Sequence, residues 1–413
     1  VTWLWSATSL WGLRLTRAAR SLKASVGDLL EENFELSNTS RLPRLWVEVI
    51  NTSPIADSAG SRLFTLLRGR QRRFYLSRTR LTRRGAFPLG PTILKAGDPF
   101  GIFTRRQIIP SKQTLIVLPM LVEVADFPSP PAVLPGGQVI RRKAVGITPH
   151  AAGVRDYVAG DPMKAIHWPS TARRGRLMVK EFEQDPQAET WIFLDAEARV
   201  HHELPAEEEA HERLDELIFR RRHQTKLQPA TIEYGVTLAA SLAHYFIQRG
   251  RTVGFISSAQ ALTVIPPERG KRQEGKLLET LAFIQAAGQL PIAALAAAQA
   301  RSLPLGSTVI LITPSLRHEI GLAAEEMQHR SHHPIVLLLD PASFGGGGLP
   351  DSLKTALVAR GVPVCLIHRG DDLPRTLAAF ARDAIGNSRV LRTRDAMRGA
   401  AWAGQPGGRQ PGG

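Results

Sequence analysis

Residues 190–195 read Thr-Trp-Ile-Phe-Leu-Asp, an apolar run ended by a carboxylate. A half-exposed strand alternates apolar with polar residues, so a short continuous run of this kind predicts a strand buried on both faces. Outward from it, toward the C-terminus, the rhythm repeats. Thr231–Gln248 has helical periodicity and Gly250 as its stop. Stretches 252–256, 261–265, 307–312, 335–339 and 362–367 read as strands, and 276–287, 321–328, 351–360 and 373–385 as helices. The alternation predicts a doubly wound α/β domain over 190–388, a mostly parallel sheet with helices on both faces. Ligands in such folds sit outside the carboxyl ends of the strands, which here are Asp195, Thr313, Asp340 and His368.

The other direction reads differently. Between residues 25 and 125 the chain holds short alternating runs such as Trp46-Val-Glu-Val-Ile50, punctuated by Asn51, Pro54, Gly69, Gly85 and Gly90, which predicts a β-sandwich-like domain. The whole is thus an α+β multidomain chain. Residues 126–189 form its connector, opening on a Pro- and Gly-rich stretch, and 389–413 read as a disordered tail. Residues 1–24 place Trp3, Trp5 and Trp11 ahead of Arg14, Arg17, Arg20 and Lys23, the order of an interfacial aromatic belt and a positive cytoplasmic flank at the end of a membrane anchor. An amphipathic helix is the plainer reading of the same residues.

A formal charge of +16 admits nucleic acid, an anionic surface or an acidic partner, and charge alone does not choose among them. The arginine-dense block from Arg62 to Arg84 is interleaved with Phe64, Phe74, Tyr75 and Phe87, which could stack bases, but it also alternates like a hairpin with one solvated face. The single cysteine, Cys365, lies in an apolar run and reads as a small core residue, so the chain carries no disulfide signature.

Mixed charge and aromatic side chains concentrate between Gly153 and Glu183: Arg155, Asp156, Tyr157, Gly160, Asp161, His167, Trp168, Arg173, Arg174, Lys180 and Glu181. Asp161-Pro162 is a helix-start signal, so a short helix is expected over 162–168 with Pro169 ending it, followed by a strand over 177–182. The residues fit an ion-paired clasp between domains or a partner-binding surface. Ser170, His167 and Asp161 could be drawn as a triad, but no nucleophile elbow surrounds the serine.

This segment resembles the hallmark motif of the bacterial "domain of unknown function 58" family: Gly153, Arg155 and Tyr157; Gly160-Asp161; Ile166-His167-Trp168 with Thr171-Ala172-Arg173; and Val179-Lys-Glu-Phe-Glu183. Arg83-Arg84-Gly85, Leu89-Gly90-Pro91 and Asp98-Pro99-Phe100-Gly101 are similar to a second landmark of that family. The resemblance implies a domain like the von Willebrand factor type A fold, N-terminal membrane helices, and association with MoxR-type AAA+ ATPases and other von Willebrand type A proteins. It therefore implies a non-enzymatic accessory or scaffold at the cytoplasmic membrane, with its soluble domains on the cytoplasmic side. A hydrolase or nucleic-acid-binding enzyme using His167 and nearby carboxylates is the competing expectation.

The metal site of that fold needs Asp-x-Ser-x-Ser after the first strand, since hydroxyls and a carboxylate supply hard oxygen ligands. Here the run is Asp195, Glu197 and Arg199, so the site at Asp195 is degenerate and no cofactor or metal is expected. His202-Glu203 lacks the second histidine of a zinc-protease helix, and Gly345 to Gly348 lacks the Lys of a phosphate-binding loop.

Overall fold

A computed structural model describes residues 2–128, 151–158, 163, 166–182, 189–205 and 227–384. The N-terminal part is built from α1 (Thr2–Thr8) and ten strands: β1 (Leu13–Ala19), β2 (Lys23–Ser25), β3 (Leu29–Asn38), β4 (Arg44–Asn51), β5 (Arg62–Leu67), β6 (Arg72–Arg80), β7 (Gly85–Pro88), β8 (Thr92–Gly97), β9 (Thr104–Ile109) and β10 (Thr114–Leu118). They form a three-stranded sheet β1-β3-β6, a four-stranded sheet β5-β4-β8-β9 and a small sheet β2-β10-β7. Period-two alternation aims Leu30, Phe34 and Leu36 of β3 inward, and Val47 and Val49 of β4 do the same from the facing sheet. Arg17 bolts the two sheets together. Its guanidinium pairs with buried Glu32 through two bonds of 2.7 and 3.0 Å, then reaches Asn51 and Thr92 of the opposite sheet at 3.0 and 3.3 Å. A buried ion pair stands only when its remaining hydrogen-bonding capacity is met, and here Asn51 and Thr92 meet it.

This placement corrects the reading of residues 1–24. The helix Thr2–Thr8 has 7 residues, the chain turns, and Leu13–Ala19 enters a sheet opposite β3, so Arg14 and Arg17 are strand residues and not a charged flank. Among the described residues no helix is long and apolar enough to cross a membrane. In residues 2–24 the expected end of a membrane anchor is overturned, and the cytoplasmic-membrane location, the membrane-associated accessory role and the partnership with the membrane through the N-terminus lose the residues on which they were based. The error has a physical source: a strand with apolar residues at every second place and a helix exit with cations at every third share the same sparse letters in so short a stretch.

The arginine block is likewise a sheet surface. On the outer face of β1-β3-β6, Arg20 and Arg78 pair with Glu31, and Arg72 with Glu35. Tyr75 is buried and stacked on Phe34 at 4.8 Å, and Phe64 and Phe87 pack on the core, which leaves Phe74 as the exposed ring of the four. A stacking platform needs several exposed rings, so the nucleic-acid reading loses its basis.

The C-terminal part contains β13 (Thr190–Leu194), α3 (Thr231–Gln248), β14 (Val253–Ser258), β15 (Leu262–Glu268), α4 (Lys271–Phe283), α5 (Ile292–Gln299), β16 (Thr308–Thr313), α6 (Glu319–His329), β17 (His333–Leu339), α7 (Pro350–Ala359), β18 (Val364–Ile367) and α8 (373–384). The sheet order is β15-β14-β13-β16-β17-β18, parallel except for β15. One core layer packs α3, α4 and α8 on one face, and a second packs α5, α6 and α7 on the other. β13 is buried along its whole length, as its unbroken apolar run requires. Burial pushes the Cys365 thiol up to about 12, in keeping with a core residue.

Between the two parts lie β11 (Ala151–Asp156), α2 (Trp168–Arg174) and β12 (Met178–Phe182), with β11 and β12 antiparallel. Most of the expected helix over 162–168 lies outside the described residues; a described helix begins at Trp168, and Pro169, expected to end a helix, sits in its first turn, where a missing N–H costs nothing. Gly175, at φ 68°, closes it in the left-handed conformation.

Candidate functional site

The order reversal in the α/β sheet falls between β14 and β16, on either side of β13, so the carboxyl end of β13 is the switch point where ligands are held. Asp195 follows directly and is buried. Both of its carboxylate oxygens are occupied: Oδ2 accepts from Thr313 Oγ1 at 2.6 Å and Oδ1 from the Glu197 amide at 3.0 Å. Burial lifts its pKa to about 6, against the pull of those two bonds. Glu197 is buried beside it and receives Arg317 end-on, Nη1 to Oε2 at 2.7 Å and Nη2 to Oε1 at 2.8 Å. The pairing raises the Arg317 pKa.

Behind this pair, His201 donates from Nε2 to the Asp195 carbonyl at 3.0 Å, and its Nδ1 lies 2.9 Å from the Thr231 hydroxyl. Burial lowers its pKa to about 4, which keeps the ring neutral. Gly288 closes the edge from a neighbouring loop, donating to Ala196 O and accepting from Ala198 N.

The geometry answers whether a divalent ion fits. A hard cation requires free oxygen lone pairs and a net negative nest. At Asp195 and Glu197 every carboxylate oxygen already accepts from a protein donor, both residues are buried, and a guanidinium already supplies the positive charge. The residues do not fit a metal. Arg199 is exposed, and Arg317 is the cation that meets Glu197. Among the described residues no cluster of three His, Cys, Asp or Glu could hold a metal ion.

In the segment 153–183 the described residues form a small unit of their own. The backbone of β11 and β12 sets Val154 opposite Lys180, Gly153 opposite Glu181 and Arg155 opposite Val179. Tyr157 extends the ladder to Leu177 O, and Asp156 pairs with Arg176 at 3.0 Å, both side chains exposed. Trp168, Arg173 and Arg174 are exposed on α2. His167 and Ser170 come together, Nδ1 to Oγ at 2.8 Å, while Asp161 and Gly160 lie outside the described residues. The amides of Ser170 and Thr171 both donate to His167 O, so the N–H groups nearest the serine are spent within the helix turn and offer no oxyanion hole.

Arg84 supplies a contact between the domains that charge patterning did not single out. It is buried, donates from Nε to Leu281 O at 3.1 Å and from Nη2 to Ile284 O, and forms an ion pair with Glu233 of α3 through Nη1. Leu281 and Ile284 stand at the C-terminal end of α4, where carbonyls lack helical donors and the dipole favours a cation. The sequence marked Arg83-Arg84-Gly85 as a landmark without indicating its work. The Glu197 and Arg317 pairing had one faint signal, the every-second-residue spacing of Asp195 and Glu197 after one strand and of Thr313, Ser315 and Arg317 after the other.

Residues 153–212 match the profile of a family described as protein of unknown function DUF58, a stretch that holds most of β11 together with α2, β12, β13, Asp195, Glu197 and His201. Over 142 residues the chain is 24% identical to the uncharacterized protein YeaD of Bacillus subtilis (strain 168), covering 34% of this chain and 28% of that relative. The chain therefore spans less than a third of the length of the curated relative it matches. Solved structures include a GH20 exo-β-N-acetylglucosaminidase from Vibrio harveyi with N-acetylglucosamine (9% identity, 87% of this chain, 61% of that chain, TM-score 0.17). A Paenibacillus cycloisomaltooligosaccharide glucanotransferase complexed with cycloisomaltoheptaose gives 9% identity, 85% of this chain, 52% of that chain and TM-score 0.15. Scores of that size carry over neither fold nor activity. The family match, confined to 153–212, brings no ATPase partner with it.

Proposed function

We propose that this chain is a non-catalytic protein-binding module whose α/β domain is of the von Willebrand factor type A kind and binds through its carboxyl edge with an arginine in place of a metal. The strand order, with β15 the antiparallel edge, supports the fold assignment. The observation that carries the functional reading is the end-on pairing of Glu197 with Arg317. An end-on pair engages one N–H on each terminal nitrogen and leaves the remaining three donors, Nε–H among them, for another acceptor. The Arg317 side chain is 39% exposed while that of Glu197 is 4% exposed, so those donors are open to an incoming group. A carboxylate of a partner protein fits them, held by the same fork geometry that holds Glu197.

Tagged chain from its own cells tests this by comparing partners recovered with and without a chelator. Recovery is expected to be unchanged by EDTA, lost in Arg317→Ala and weakened in Arg317→Lys. Because Arg317→Ala strands a buried carboxylate, the double variant Glu197→Gln/Arg317→Met serves as the folded control and should also lose the partner. Release of partners by EDTA, or their retention by the folded double variant, would sink the proposal.

A further inference from the structure

β9 is the last strand of its sheet and is bonded to β8 alone. Both of its faces are exposed from Thr104 to Ile108. An antiparallel edge strand turns every second pair of backbone N–H and C=O groups outward, and among the described residues no backbone bond from another element reaches Arg105 to Ile108. Exposed arginines on such an edge guard against chance pairing, yet this edge also shows Ile108 at 66% exposure and, at its hairpin tip, Phe100 at 79% and Ile102 at 70%. A purely protective edge has no need of those.

Register sharpens the point. On the outer sheet face, one row runs Glu48, Lys95, Arg106 and another Ile50, Ile93, Ile108. Glu48 pairs with Lys95 at 3.1 Å, which leaves Arg106 directly opposite a second cation with no carboxylate of its own. Like charges set opposite one another on a sheet are unfavourable. On the outer face of β1-β3-β6, Arg20, Arg72 and Arg78 have glutamate partners. Among the described residues Arg105 and Arg106 have none.

We propose that β9 receives, as a fifth and antiparallel strand, an extended segment of a partner protein reading apolar, any residue, acidic, acidic. The apolar residue falls opposite Ile108 and continues the isoleucine row. The first acidic residue falls opposite Arg106, completing a row of alternating sign, and the second falls opposite Arg105 on the other face. Beyond the acidic pair the segment runs toward Phe100, Ile102 and Phe103. Main-chain bonds supply attraction and the alternating side chains supply selection. This surface lies on the β domain and does not depend on the reading of Arg317.

A fluorescein-labelled peptide, Ser-Val-Thr-Glu-Glu-Val-Ser, titrated by anisotropy against the full chain is the test. Saturable binding is expected, weakened at least tenfold by Arg105→Glu/Arg106→Glu and by Ile108→Asp. The doubly reversed variant should prefer the peptide with Lys-Lys in place of Glu-Glu, a swap that loss of folding cannot mimic. Methylating the peptide amides that face β9 should abolish binding. Absence of binding to the wild-type chain, equal affinity for the reversed variant, or indifference to amide methylation would each overturn the proposal. So would concentration-dependent dimerisation removed by Ile108→Asp, which would assign the edge to a second copy of the chain.

Discussion

Replacing Arg84 by alanine is expected to uncouple the two domains. The side chain is 6% exposed, and three acceptors depend on it: Leu281 O, Ile284 O and the Glu233 carboxylate. Breaking a buried pair by removing one partner costs about 3–5 kcal/mol. Glu233 is 21% exposed and can recover water, which places the expected loss near the lower end, about 3 kcal/mol. What remains at the junction includes apolar packing of Leu118, Val122 and Val124 on the α/β core, the Val122 amide bonded to Ser241 at 2.9 Å, the Ala125 carbonyl bonded to Arg249 at 3.1 Å, and an exposed Lys23 to Glu279 pair worth at most about 1 kcal/mol. Hydrogen exchange read by mass spectrometry gives the result element by element. Since about 1.4 kcal/mol is a factor of ten, amides in α4, β7 and β10 should exchange roughly a hundredfold faster in Arg84→Ala, while β3 and β17 change little. Arg84→Lys should fall between, because an ammonium keeps the charge but cannot fork onto two carbonyls. Exchange in α4 and β7 within threefold of wild type would refute the reasoning.

Two further changes bear on the carboxyl edge of the α/β sheet. Asp195, raised to about 6 by burial, contributes stability that is full below its unfolded value and is lost as pH rises through about 6; His201, lowered to about 4 by burial, contributes stability that is lost as pH falls from 6.5 through about 4. Each leg amounts to roughly 3 kcal/mol and the two oppose, so between pH 4 and 6.5 they nearly cancel. Asp195→Asn should therefore lose stability toward acid, measured by urea midpoints across that window, and His201→Gln should gain it; pH profiles parallel to wild type would contradict both. Gly288→Ala places a methyl 1.9 Å from Ser258 O and 2.9 Å from Ala196 O, backbone atoms that cannot turn aside, and should cost several kcal/mol in thermal or urea unfolding. A midpoint unchanged by that substitution would show that the loops at this edge are not packed as described.

Much of the α/β part was legible because its strands and helices carry their own periods. The run at Thr190–Leu194 and the helix Thr231–Gln248 have the bounds their patterns suggested. α5, Ile292–Gln299, has no such pattern, since its row of alanines is apolar all round and no stripe marks a face. Pro169 was read as a helix end and lies in a first turn, because proline both ends and begins helices, and a single sequence gives each reading equal support. The site was less legible than the fold. Asp195 and Thr313 could be named from strand ends, but Arg317 meets Glu197 across 120 residues, and sequence spacing has no rule for such a pairing. Arg17 and Arg84 sat in segments read as a charged flank and a solvated hairpin; burial of a guanidinium is set by partners on other strands and helices, which composition cannot show.

β13 lies at the middle of the six-stranded sheet, yet it is the first of those strands to leave the ribosome. Its neighbours on one side, β14 and β15, follow next, and β16, β17 and β18 are added one by one on the other, so synthesis lays the sheet from its centre outward. Each new strand then finds a partner already made, and the exposed edge advances with the chain without waiting for a distant segment. The order also ranks truncations: ending the chain before β18 removes one ladder from a margin, whereas a deletion reaching β13 splits the sheet into halves that have no other common strand.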